Sequence, residues 1–192
     1  MLRVLVIDES ESRAGEICAG LALAGYQVAA LLPSVLDLSA RVEELKPDCI
    51  LIQTDSPSRD TLEHLAVANA ELPRPVVMFS SKRDTQTIRK AIKAGVSAYV
   101  VDGLSAKRLQ PIIDVAIARF EEFQALRSER DEATRKLADR KVLDRAKGVL
   151  MKARGMSEDE AYAALRRLAM DRKQPIAQVA TQVLEMAALL GA

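Results

Sequence analysis

The stretch "PDCILIQTDSP", Pro47–Pro57, decides how the first half of the chain folds. Cys49–Thr54 is strand-length, and its residues are apolar at consecutive positions as far as Ile52, not at alternate ones. That pattern suits a strand of a parallel sheet covered on both faces. Asp55-Ser56-Pro57 then ends the strand in a loop. The last inward position is Gln53, a neutral amide at the carboxyl edge, where doubly wound sheets place their ligand-handling groups.

Working outward, Arg3–Asp8, Gln27–Leu32, Val76–Ser80 and Ala98–Val101 are runs of the same length and kind. Helical stripes separate them: Ala14, Ile17 and Leu21; Leu38, Val42 and Leu45; Leu62 and Leu65; Ile88 and Ile92. Gly25, Pro33, Pro57, Pro73, Pro75, Gly95 and Gly103 punctuate the series. Five such units predict an α/β fold, a doubly wound five-stranded parallel sheet with helices on both faces.

Beyond Gly103 the pattern changes. Ser105 can cap a helix in which only Pro111, in its early turns, intervenes before Gly148. Ile113, Ile117, Phe120, Phe123 and Leu126, then Ala133 and Leu137, form a coiled-coil-like stripe that Arg130 interrupts. Such a stripe serves either a dimer seam or a fold-back onto its own domain, and the helix's length favours the seam. The last 50 or so residues read as three helices. Gly155 stops the first, Ser157…Glu160 is a capping box for the second, and Pro175 opens the third. Ala161, Leu165, Leu168 and Ala169 face inward on the second; Ile176, Val179, Ala180, Val183 and Leu184 do so on the third.

With 49% apolar and 29% charged residues among 192, the composition is that of a globular chain long enough for one large domain or two small ones, each able to bury a core. No apolar run approaches the roughly 20 residues of a membrane span, and the N-terminus has no signal-peptide layout, so the expected location is cytoplasmic. Cys18 and Cys49 read as small core residues rather than a disulfide or metal pair. Charge is uneven. Arg135–Lys173 holds twelve basic and six acidic residues, a surplus of six, so with a net charge of +1 the remainder carries −5. A basic module on an acidic body points to a polyanion or to a solvated helix face.

The first domain, in its ordered constellation of residues, resembles a response-regulator receiver, a flavodoxin-like fold. Such domains hold Mg²⁺ and accept a phosphoryl group on an aspartate. The resemblance requires an acidic pair after the first strand, the aspartate after the third, a hydroxyl after the fourth and a Lys after the fifth. The chain keeps Asp8 and Glu9, Ser80, and the loop's Pro57. Gln53 stands at the acceptor position, and an amide is not a carboxylate nucleophile. Asp102-Gly103 replaces Lys-Pro, setting a carboxylate where a phosphoryl group needs a cation. The expectation is a pseudo-receiver that is not phosphorylated. Asp55 is a poor substitute acceptor, because two residues move it several ångströms along the chain. His64, the only histidine, has no metal-ligand spacing around it and reads as inert. No nucleophile triad, phosphate-cradling glycine loop or zinc signature supports an enzyme, and no cofactor is expected.

The C-terminal region, with Ala146-Lys147-Gly148-Val149-Leu150-Met151 followed by Ser157, Glu160-Ala161-Tyr162 and Leu165-Arg166, resembles the ANTAR module, an RNA-binding three-helix domain. A pseudo-receiver over 1–117, a helical linker over 118–130 and this module over 131–192 together resemble the AmiR and NasT antitermination regulators. "TDSPSRDTLEHL" and "AYVVDGLS" lean toward the nitrate-assimilation NasT type. The resemblance implies binding to leader-mRNA hairpins as a homodimer, under a small-molecule sensor protein binding nitrate or nitrite.

The residues support RNA independently. Arg140, Lys147 and Arg154 recur every seven positions and share one helix face. Tyr162 and Arg166 are neighbours one turn apart, with Lys173 further round. RNA readers stack splayed bases on aromatics and fix the backbone with cations. Tyr162 is equally readable as filler of a small core. The rivals are a phosphorylation-driven DNA-binding response regulator and a protein-interaction adaptor. DNA is disfavoured, because the chain ends before a further recognition helix.

Overall fold

The computed structural model describes residues 1–101 and 106–189. Asp102, Gly103 and Ser105 lie outside the described residues. The chain divides into two units, Met1–Gln124 and Ala125–Ala192.

In the first unit Cys49–Thr54 is β3, the middle strand of a five-stranded parallel sheet in the order β2-β1-β3-β4-β5. Its neighbours are β1 (Arg3–Asp8), β2 (Gln27–Leu32), β4 (Val76–Ser80) and β5 (Ala98–Val101). All five strands have the bounds read from their apolar runs. Leu51 and Cys49 are fully buried because helices cover both faces. On one face α1 (Glu11–Leu23) and the start of α5 (Ala106–Arg154) bury Ile17, Leu21, Leu109, Ile113 and Ala116 against Val4, Val6, Leu51 and Phe79. On the other, α2 (Leu38–Leu45), α3 (Arg59–Glu71) and α4 (Thr85–Lys93) cover Leu5, Ile7, Ile50, Ile52 and Met78. Each fully buried aliphatic side chain contributes about 1.5–3 kcal/mol.

Several expectations are corrected. On α4 the inward residue is Ala91, with Ala94 at the helix end, while Ile92 is exposed. Small residues let this helix lie close to the sheet. β2 is less buried than a central strand because it is an edge. Cys18 is only half-buried, unlike Cys49. Of the α5 stripe, Ile113 and Ile117 pack on their own sheet, whereas Phe123, Leu126 and Leu137 are exposed.

The second unit comprises the end of α5, α6 (Glu158–Arg172) and α7 (Ile176–Leu189). The helix α5 runs through Gly148 and stops at Gly155, whose φ of 63° is the left-handed conformation glycine adopts without cost. Ser157 and Glu160 form the expected capping box. Ala146, Leu165, Ala169, Val179 and Ala180 are the core, flanked by Val142, Leu143, Leu150, Leu168, Ile176, Val183 and Leu184.

Candidate functional site

At the carboxyl edge of the sheet, Asp8 pairs in register with Gln53, and Ser80 with Thr54 and Val101. The Asp8 side chain is fully buried. Its Oδ1 accepts from the Ser10 N–H at 2.8 Å and from Arg13 Nη2 at 3.2 Å. The other amino group of Arg13, Nη1, donates to Asp55 Oδ1 at 2.9 Å. One guanidinium thus joins the buried acid at the end of β1 to the loop after β3. The hydrogen bond to Asp8 is the chief cause that raises the Arg13 pKa above its ordinary value. Ser80 Oγ is occupied as well: it donates to the Asp55 carbonyl at 3.3 Å and accepts from the Lys82 N–H at 3.2 Å. Tyr99 Oη donates to the Lys82 carbonyl at 3.0 Å, tying β5 to the same loop.

Gln53 Oε1 and Asp8 Oδ2 are buried acceptors without partners among the described residues. Glu9 does not join Asp8; it lines a cavity of about 130 Å³ with Gln53, Asp60 and His64. The fold's usual Mg²⁺ does not fit these residues. Among the described residues no three His, Cys, Asp or Glu side chains gather for a metal, and the cation facing Asp8 is Arg13. Reading the sequence missed Arg13. Its signal was a cation in the first turn of a helix, where the dipole opposes it unless carboxylates compensate.

In the second unit, the basic residues singled out from the sequence fall into different environments. Arg140, Arg154 and Arg166 are exposed, and Lys173 is the left-handed residue closing α6 at φ 52°. Lys147 is different. Its Nζ lies 2.6 Å from Glu158 Oε1 and 2.8 Å from Asp144 Oδ1, with the side chain 15% exposed. It fastens the last turns of α5 to the first turn of α6, and both carboxylates raise its pKa. Tyr162 is 43% exposed, so it is not core filler. It stands one turn from exposed Arg166 on α6. On α5, periodicity alone passed over Lys141, Arg145 and Lys152, which are exposed and on the side of the helix away from Ala146.

Residues 131–184 match the ANTAR domain family. Over 183 residues the chain is 30% identical to the transcriptional regulatory protein PdtaR of Mycobacterium tuberculosis, covering 95% of this chain and 89% of that one. The chain belongs to the ANTAR response-regulator family. It is a transcriptional regulator with a receiver-like unit ahead of its ANTAR unit. The receiver-like fold recurs in the signal receiver domain of a modulated diguanylate cyclase from Desulfovibrio desulfuricans G20, with a TM-score of 0.56 at 21% identity. That alignment covers 63% of this chain and 97% of the other. A CheY-like receiver domain protein from Methanospirillum hungatei JF-1 matches with a TM-score of 0.55 at 19% identity, over 64% and 98% of the two chains. Among the described residues no helix is long and apolar enough to cross a membrane.

Proposed function

We propose that this regulator binds hairpins in the leader of nascent mRNA and favours readthrough over a terminator. The observation that carries this reading is exposed Tyr162 beside exposed Arg166 in a unit with a surplus of positive charge. An exposed aromatic next to a guanidinium offers a stacking face and a phosphate contact together. Arg140, Arg154 and Lys173 add further cations, while Lys147 holds α6 in place more than it offers a free charge. Phe123, Leu126 and Leu137 form the seam of a homodimer, whose two ANTAR units grip two hairpins with the avidity that tethering gives.

Control in this reading comes from a partner protein rather than from phosphate. Gln53 is not an acceptor, and the acid beside it is already paired with Arg13. The resemblance to nitrate-assimilation regulators makes that partner a nitrate- or nitrite-binding sensor, which releases the regulator when its ligand arrives. A ligand shifts such an equilibrium only by its differential affinity for the sensor's two states. The free regulator therefore binds RNA with no ligand present. The test is selection of stem-loop RNA from a randomised-loop pool by the full chain, followed by gel shifts beside duplex DNA of matched sequence. Enrichment of particular loops that DNA does not compete away supports the proposal. Equal binding to duplex DNA favours the DNA-binding reading, and no binding to either leaves the adaptor.

A further inference from the structure

We infer that the outward strip of α5 centred on Gly148 is a second docking surface, one that takes an RNA phosphodiester backbone at close range. It rests on the RNA-binding reading above and adds a face that reading does not use. Lys141, Arg145, Gly148 and Lys152 are spaced by four, three and four, which sets them within about 60° of one another around the helix. The strip is about 16 Å long and lies on the side of α5 opposite Val142, Leu143, Ala146 and Leu150, which pack on the unit's core.

Two independent observations converge on this strip. The first is charge. Lys141, Arg145 and Lys152 are exposed, and none has an ion-pair partner among the described residues. The nearest acid on the helix, Asp144, is engaged by Lys147. Three unbalanced cations in a row are complementary to a polyanion.

The second is Gly148 itself. Glycine is among the least favourable residues inside a helix, so its use there needs a reason. Nothing among the described residues supplies one. Its backbone is not in the left-handed region, and a Cβ built at Gly148 meets nothing within 4 Å. Glycine's remaining use is to let something outside approach the backbone closely. Flanked by Arg145 one turn before and Lys152 one turn after, the approaching group is a phosphate-bearing strand. The strip holds no aromatic residue, so it grips backbone, and base stacking stays with Tyr162 on α6.

The experiment uses the full chain, the stem-loop RNA selected by the parent, and fluorescence anisotropy over a salt series, with thermal melts alongside. Gly148→Ala should raise the melting temperature, because alanine suits a helix better, yet weaken RNA binding about fivefold or more. Lys141→Ala, Arg145→Ala and Lys152→Ala should each weaken binding and lower the salt slope by about one. A Gly148→Ala chain that binds as tightly as the parent overturns the strip, as does one that loses stability and binding together. If Arg166→Ala weakens binding while all four strip variants do not, the RNA reading stands and the strip falls. If the parent selects no RNA, both fall; retention on anionic vesicles in that case assigns the strip to a membrane surface.

Discussion

Arg13 Nη2 lies 3.2 Å from the buried Asp8 carboxylate, and this ion pair sets the character of the receiver-like unit. The guanidinium bonds Oδ1, the oxygen that also accepts from the Ser10 N–H, and reaches on to Asp55 at 2.9 Å. The buried acid thus carries a cation of the protein's own.

Phosphate and Mg²⁺ should therefore have little effect. Incubation with acetyl phosphate is expected to leave the intact mass unchanged, and millimolar Mg²⁺ should not move the melting temperature. An added phosphoryl mass that Asp55→Asn abolishes contradicts this. Arg13→Ala should destabilise by about 1–3 kcal/mol in urea, less than for a wholly buried pair because the Arg13 side chain is 39% exposed.

This pairing also shows where the sequence stops being legible. The strands were readable to the residue because consecutive apolar positions have one meaning in a parallel sheet. Gly155 and the Ser157 cap were readable because their chemistry is local. Arg13–Asp55 joins residues 42 apart, and no periodicity reports such a contact. Lys147 was placed on the basic face by its seven-residue spacing, but Glu158, across the turn, takes its charge. On α4, a stripe drawn through the large residues Ile88 and Ile92 missed that small Ala91 is what meets the sheet.

Lys147 and Arg166 should separate in solution. Lys147→Ala is expected to lower both the melting temperature and RNA affinity, with a smaller change in salt slope than Arg166→Ala, because its charge is already balanced by Asp144 and Glu158. Equal slope changes in the two variants would mean Lys147 gives its charge to RNA.

The same corner predicts an acid limit. A hydrogen bond from Lys147 lowers the Asp144 pKa from 3.8, and the Ser157 N–H lowers that of Glu160 from 4.5. Depressed carboxyls contribute stability that is full above their unfolded values and is lost as pH falls through the folded ones. Helical content followed by circular dichroism should therefore decline below about pH 4.5. Ser157→Ala should shift that decline to higher pH; an unchanged acid midpoint contradicts the capping contribution.

At the alkaline end the sign reverses. Burial, then Asp114, pushes the Tyr26 phenol up to about 12, and burial pushes the Cys49 thiol up to about 12. Groups raised in the folded state stabilise fully below their unfolded values of 10.0 and 9.0, and that stability is lost as pH rises toward about 12. Urea midpoints should fall above pH 9, and Tyr26→Phe should flatten the part beyond pH 10. A parent curve level to pH 11 would contradict the burial argument.

The exposed stripe on α5 predicts assembly. Phe123 is 62% and Leu126 59% exposed, so replacing both by Glu leaves the receiver-like core untouched. The double variant should scatter light as a monomer where the parent scatters as a dimer. A parent that is already monomeric contradicts the seam.

Recognition of RNA by the Tyr162–Arg166 face is read out by a salt series on the selected stem-loop. Parent binding should be tight and weaken steeply with salt, with a shallower slope for Arg166→Ala and weaker binding at an unchanged slope for Tyr162→Ala, both variants folded by circular dichroism. Folded Arg166→Ala and Tyr162→Ala chains that bind the stem-loop as tightly as the parent would contradict it.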